Sequence, residues 1–155
     1  VLALQDVLAA FPDESMAVKI EAPSFASVAA LLQAADATGS RARLLAIVDE
    51  QQLANTLRSQ APDLATAATS AEAGAFLAMQ RLHMTPFYRP AAPGLILAGA
   101  AVSDPLVDAA RSRGMHVLAV DSSPAGEALG RWRGADVDGV VVSGLEAISG
   151  LSASD

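Results

Sequence analysis

Residues 44–67, LLAIVDEQQLANTLRSQAPDLATA, contain the pattern that decides the fold. The apolar run over 44–48 predicts a buried strand, and the leucine spacing over 51–59 predicts an amphipathic helix. A proline turn then leads into a second short apolar run over 64–68. This order of strand, helix and strand predicts a βα unit that feeds a parallel sheet.

The same alternation runs along the rest of the chain. We predict strands over 16–22, 44–48, 64–68, 95–98, 115–120 and 139–142, with helices over 2–11, 24–38, 51–59, 70–82, 104–113, 123–133 and 145–151. The proline-rich stretch TPFYRPAAPG, 85–94, is the longest irregular segment and a candidate functional loop. These elements predict six βα units in one α/β domain over residues 1–155, either an open doubly wound sheet or part of an eight-stranded barrel.

Composition narrows the function classes. Hydrophobic residues make up 52% of the chain and charged residues 17%, a balance typical of strands buried on both faces. The net charge of −7 argues against nucleic acid as a partner. No apolar run is long enough for a membrane span, and neither a GxGxxG nor a GxxxxGK[ST] loop is present. Cysteine is absent, which excludes disulfides and thiolate metal sites but leaves the compartment unassigned.

Several stretches of the chain resemble, in order, the glycerophosphodiester phosphodiesterase family. The matching stretches are LQDVLAAFP at 4–12 with VKIEAP at 18–23, then 44–67, AMQRLHMTPFYRPAAPGLIL at 78–97, LVDAARSRGMHVLAVD at 106–121, and DVDGVVVSG at 136–144. The resemblance implies a TIM-type (β/α) barrel, of which this chain supplies six consecutive βα units and lacks the first two strands. Because the chain starts at Val1 rather than Met, we expect further sequence upstream.

The chain departs from the family's motifs at the positions that carry chemistry. The family's His-Arg-Gly, its Glu-Asn and its second histidine precede the matched region. The replaced positions are Lys19 for a metal-binding Glu, Ile47-Val48-Asp49 for Ser-Phe-Asp, Ile96 for Gln, Leu118-Ala119-Val120-Asp121 for Trp-Thr-Val-Asn, and Val142-Ser143 for Thr-Asp. The resemblance therefore implies that the scaffold is kept, with no catalytic residue and no metal ligand assigned in this chain.

Four residues are candidates for substrate binding: Lys19, Glu21, Asp49 and Asp121. Lys19 and Glu21 share one strand face because side chains alternate along a strand, so they predict either a phosphate or metal site or a buried ion pair. We favour the ion pair, since one carboxylate is a poor site for a hard divalent cation. Asp49 and Asp121 each follow a strand and are either ligands at the barrel mouth or helix N-caps, of which we favour caps.

The histidines and several aromatic residues carry further predictions. His116 is predicted to be a packed, hydrogen-bonded strand residue, and His83 to lie near a helix end. Trp132 is expected on a helix surface or an interface, with stacking on a neighbouring arginine. Phe87 and Tyr88 either line a pocket or fasten the proline-rich loop.

Three hypotheses for the function follow. The first is a non-catalytic domain, a pseudoenzyme, that binds a protein partner or a phosphate-bearing small molecule without a cofactor. The second is an active metal-dependent enzyme that uses Ca²⁺ or Mg²⁺ and is completed by an N-terminal segment. The third is an assembly subunit, because six parallel strands leave open sheet edges that a protein partner or a second copy must cover.

Overall fold

The computed structural model describes residues 3–121, 132 and 136–142. Within them the helices are α1 Leu4–Ala10, α2 Phe25–Ala37, α3 Gln51–Gln60, α4 Ser70–Arg81 and α5 Asp104–Arg111. The strands are β1 Met16–Lys19, β2 Leu44–Ile47, β3 Ala65–Thr66, β4 Gly94–Ala98, β5 His116–Asp121 and β6 Gly139–Val142. The predicted α/β order is confirmed, while the helices expected over 123–133 and 145–151 lie outside the described residues.

All described strand pairs are parallel, and they form two three-stranded sheets in the orders β1-β2-β3 and β4-β5-β6. The described strands do not form a closed barrel. The chain separates into two compact units, the first made of Val1–Glu72 with Ala91–Pro93 and the second of Ala73–Pro90 with Gly94–Asp155. The single domain over 1–155 stays a prediction.

The first unit packs its helices against one face of its sheet. The core consists of Leu8, Val28, Leu31, Ala34, Ala35, Leu44, Ala46, Val48, Leu53, Ala54, Leu57, Ala61 and Leu64. Along β2 the buried residues alternate with partly exposed ones, as the period of a strand requires. Removing this apolar surface from water stabilises the unit by about 25 cal/mol for each Å² buried.

The expectation that strands are buried on both faces is wrong for β5 and β6. In β5 of the second unit, Val117 and Ala119 are fully buried, but Val120 on the opposite face is 40% exposed. Val141 of β6 is exposed to a similar extent. The physical reason is that helices cover one face of each sheet, whereas no described residue of the same unit covers the second face fully.

Three helices end in the same way, with a left-handed residue just past the last turn. After α2 and α5 this residue is Gly39, φ 63°, or Gly114, φ 73°, and after α4 it is His83, φ 57°. At each end two backbone N–H groups bond back to the final turn, as in a Schellman motif. His83 is the exception, because a side chain at positive φ costs energy that glycine avoids.

The beginning of α4 is fixed by a capping box. The Thr69 N–H donates to Glu72 Oε2 at 2.9 Å, and the Glu72 N–H donates to Thr69 Oγ1 at 3.3 Å. Glu72 also receives two hydrogen bonds from Arg58, at 2.6 and 2.9 Å, and one from Gln51 at 2.8 Å. Arg58 in turn donates to Thr66 and to the Ala67 carbonyl. One ion pair therefore joins α3, the end of β3 and the start of α4.

The protonation state of Glu72 links this network to pH. Burial acts to raise the pKa of Glu72, but the hydrogen bonds from Arg58, Gln51 and the Thr69 N–H outweigh it and hold the pKa at about 2. The folded-state pKa thus lies below the ordinary value of 4.5. The ionised Glu72 carboxylate therefore stabilises the fold above about pH 4.5, and this contribution is lost as the pH falls toward 2.

We expect Glu72→Gln to lower the free energy of unfolding at pH 7 by about 3 kcal/mol, because it leaves the largely buried Arg58 without its counter-ion. The loss should shrink as the pH falls from 5 toward 2, since Glu72 is protonated in the unfolded chain below about pH 4.5 but in the folded chain only near pH 2. Urea unfolding across this pH range measures both effects. Glu14→Gln, at an exposed glutamate, is the matched control, and an equal response of the two variants would contradict the role given to Glu72.

Within the same described ranges, no helix is both long and apolar enough to cross a membrane.

Candidate functional site

The carboxyl end of the first sheet brings three of the four candidate residues close together. Lys19 is the last residue of β1, Glu21 lies two residues beyond it, and Asp49 follows β2. Because β1 and β2 are parallel and Lys19 pairs with Ile47 across the ladder, these residues meet at one edge of the sheet. This is the end at which parallel barrels carry their functional side chains.

Lys19 and Glu21 form an ion pair, as predicted, with 2.9 Å between Nζ and Oε1. The prediction that the pair is buried is wrong, because the two side chains are 57% and 78% exposed. Met16, Val18 and Ile20 of the same segment pack against the core, so Lys19 and Glu21 point to the face that the helices do not cover. An ion pair in this setting is weak and is worth at most about 1 kcal/mol.

Asp49 acts as a cap, but for a different helix than expected. Its Oδ1 accepts the N–H of Ser70 at 2.7 Å, at the first residue of α4, whereas α3 begins after Glu50 without a side-chain cap. Hydrogen bonds from the Ser70 side chain and N–H are the main cause of a lowered Asp49 pKa, with a smaller contribution from the Lys19 ammonium. Asp49 is therefore ionised and partly committed to the helix terminus.

The residues at this edge do not fit a divalent cation by themselves. Among the described residues, no group of three histidine or carboxylate side chains is arranged to hold a metal ion. Of the two candidate carboxylates at this edge, Asp49 is bonded to a helix terminus, and Glu21 is paired with an ammonium that repels cations. A hard cation that prefers six or more oxygen ligands would need donors beyond these.

The fourth candidate, Asp121, lies in the second unit at the carboxyl end of β5. It is buried, and its Oδ2 accepts the indole Nε1–H of Trp132 at 2.8 Å. The Trp132 ring also approaches Gly99, where an added Cβ would lie 2.9 Å from Cζ2. The helix that Asp121 was predicted to cap lies outside the described residues, as do the arginines expected to stack on Trp132.

The remaining polar predictions have mixed outcomes. His116 is hydrogen-bonded, with its Nδ1 3.3 Å from Asp138 Oδ1, but it is exposed rather than packed because it opens β5 at the sheet's amino end. Its partner Asp138 also accepts the Val117 N–H at 2.8 Å. Tyr88 fastens the proline-rich segment by packing edge-on against Phe76, with 5.3 Å between the ring centroids.

A cavity of about 410 Å³ lies at the other end of the first sheet, where the chain enters β3. Its lining includes Arg58, Asp63, Thr66, Ala91 and Pro93.

The sequence did not indicate that Arg58 and Glu72 interact. The pattern Thr69-Ser70-Ala71-Glu72 does match a capping box, but nothing in a single sequence shows that an arginine on the preceding helix reaches it.

No protein-family model and no curated protein matches the sequence. Solved structures do match it. A protein named as a glycerophosphoryl diester phosphodiesterase from Silicibacter pomeroyi aligns with a TM-score of 0.64 and 22% identity, over 90% of this chain and 50% of that one. A glycerophosphodiester phosphodiesterase from Agrobacterium tumefaciens aligns with a TM-score of 0.68 and 13% identity, over 90% and 57%.

A protein named as a glycerophosphodiester phosphodiesterase from Galdieria sulphuraria also aligns, with a TM-score of 0.68 and 12% identity, over 96% of this chain and 62% of that one. The chain thus spans about half to three-fifths of the length of these structures. The resemblance stated from the sequence is confirmed at the level of the fold: the chain has the α/β architecture of a partial glycerophosphodiester phosphodiesterase domain.

Proposed function

We propose that this chain is a glycerophosphodiester phosphodiesterase-like domain that binds a phosphate-bearing ligand at Lys19 and does not hydrolyse it on its own. The observation that carries the proposal is the exposed Lys19 ammonium at the carboxyl end of β1, which forms an exposed ion pair with Glu21. A phosphate dianion can displace Glu21 from that pair at little cost, because exposed pairs contribute little. Lys19 is the sole lysine of the sequence.

The engagement of the neighbouring carboxylates supports binding rather than catalysis. Asp49 accepts the N–H that opens α4, and Glu72 is held by Arg58, Gln51 and the Thr69 N–H. Metal-assisted phosphodiester cleavage needs ligands that fix the ion and leave a position open for the substrate. Glu21 with Lys19 beside it does not supply such a set.

We expect Lys19→Met to weaken the binding of glycerol 3-phosphate by about fivefold or more, because it removes the cation that faces the phosphate. Lys19→Arg should retain most of the affinity, and Glu21→Gln should increase it by removing the competing carboxylate. Isothermal titration calorimetry measures all three. A second readout is the dimethyl-lysine NMR signal of Lys19 after reductive methylation with ¹³C-formaldehyde, which should shift on ligand addition.

Two results would overturn this proposal. One is an affinity for glycerol 3-phosphate that is the same in the wild type, Lys19→Met and Glu21→Gln. The other is turnover of glycerophosphocholine by the purified chain with Ca²⁺ or Mg²⁺ that a chelator abolishes.

A second candidate function is an active phosphodiesterase that is completed by an N-terminal segment and hydrolyses glycerophosphodiesters to glycerol 3-phosphate and an alcohol. The coverage of the matched structures, 50% to 62%, is the observation that favours it. In this form Glu21 and Asp49 would add their oxygens to ligands from that N-terminal segment, and Ca²⁺ or Mg²⁺ would polarise the phosphate.

If this second function is correct, we expect the gene to encode His-Arg-Gly and Glu-Asn motifs upstream of Val1. The longer protein should then cleave bis(p-nitrophenyl) phosphate. Asp49→Asn should then lower kcat by at least about tenfold if the carboxylate helps to hold the ion. A longer protein with those motifs that shows no metal-dependent cleavage would exclude this candidate.

We also infer that a protein partner or a second copy, or strands from an upstream segment, cover the open edge of β1. In the described sheet β1 pairs with β2 alone. The Ile20 N–H bonds to the Ile47 carbonyl, so the N–H groups of Ala17 and Lys19 point away from β2 by alternation. Exposed Val120 and Val141 in the second unit support the same inference for the uncovered sheet face.

We expect Ala17→Pro to leave the chain folded and to abolish self-association or partner binding, because proline is tolerated at an edge but cannot donate to an incoming strand. Light scattering after size-exclusion chromatography measures the association, and circular dichroism the fold. A wild-type chain that is monomeric at all concentrations and with every upstream segment tested would refute the covered edge.

A further inference from the structure

The acidic residues of this chain are distributed unevenly. The sequence has 17 aspartates and glutamates, yet none falls between residues 73 and 103. The same stretch carries Arg81, His83 and Arg89. A chain with a net charge of −7 therefore has one long segment without negative side chains, and its basic residues cluster over 81–90.

This 81–90 segment also carries large exposed apolar side chains. Leu82 is 66% exposed, Phe87 is 76% exposed, and Met84 is exposed as well. Arg81, His83 and Arg89 are exposed alongside them. Scattered single apolar residues on a surface are ordinary, but three within six positions, between two arginines, form a concentrated patch.

The backbone holds this patch in place. His83 adopts the left-handed conformation at the end of α4, and the Met84 N–H closes the turn on the Met79 carbonyl at 2.8 Å. Beyond it, Tyr88 packs on Phe76, and Arg113 donates to the Pro86 carbonyl at 2.7 Å. Phe87 is thus presented outward between two anchored neighbours.

We propose that the 81–90 segment binds the surface of a membrane that contains anionic lipids. Leu82, Met84 and Phe87 enter the boundary between headgroups and acyl chains, while Arg81 and Arg89 contact lipid phosphates. Apolar side chains flanked by basic ones are the combination by which peripheral segments bind such interfaces. The proposal concerns the membrane surface and does not depend on the ligand assigned to Lys19.

Charge favours a lipid surface over a second copy of this chain. A symmetric interface would place the Arg81 and Arg89 side chains of two copies close together, and like charges in contact oppose association. Anionic headgroups complement them. Because the rest of the chain is acidic, the attraction must be local, and salt should screen it within about 10 Å at 0.1 M ionic strength.

The test is co-sedimentation of the 155-residue chain with vesicles of phosphatidylcholine alone or with 30% phosphatidylglycerol. We expect binding to the anionic vesicles that falls as NaCl is raised from about 50 to 500 mM. Arg81→Gln and Arg89→Gln should each weaken binding about fivefold. Phe87→Ser should weaken it several-fold at every salt concentration, because the apolar contribution is not screened.

The matched control is Phe25→Ser, at a phenylalanine in the first unit that is 60% exposed and lies outside the segment. It should bind vesicles like the wild type. Equal losses in Phe25→Ser and Phe87→Ser would overturn the proposal, as would an absence of binding to anionic vesicles at low salt. Self-association that Phe87→Ser abolishes, without vesicle binding, would also overturn it by assigning the patch to a contact between copies.

Discussion

The ion pair between Arg58 and Glu72 is the constraint on which the first unit depends. Both side chains are largely buried, so each charge is neutralised by the other. Every nitrogen of the Arg58 guanidinium donates a hydrogen bond, to Glu72, to Thr66 or to the Ala67 carbonyl. Replacing such a pair with well-packed apolar residues often costs nothing, whereas removing one partner leaves a buried charge. We therefore see its main role as fixing the entry into α4 relative to α3 and β3.

Much of the fold was predictable because apolar periodicity depends on neighbouring residues. The prediction for β6, 139–142, agrees with the structure, and the α3 boundary differs by one residue. β1 ends at Lys19 rather than 22, since the following residues no longer pair with β2 in the ladder. Exposure of the second sheet face was not predictable, because composition reports how much apolar surface exists and not which layers are there to cover it.

The sequence indicates which residues lie at the candidate site, but not which groups they form hydrogen bonds or ion pairs with. Asp49 was identified correctly as a capping residue, but a sequence shows only the helix that follows it, and the parallel sheet brings the start of the next helix within reach. The Lys19–Glu21 contact follows from strand alternation alone, whereas its exposure depends on what lies across the sheet. Arg58 and Glu72 meet through tertiary packing, for which spacing gives no signal.

The aspartates at the strand ends share one feature, which is that each accepts a hydrogen bond from a neighbouring structural group. In the first unit Asp49 satisfies a helix terminus, and in the second Asp121 satisfies the indole of Trp132. A carboxylate that accepts such hydrogen bonds stabilises the local structure, and a metal ion would have to compete with those donors for its oxygens. Lys19 lacks a buried partner of this kind, and for that reason it is the side chain at these strand ends with the most freedom to meet a ligand.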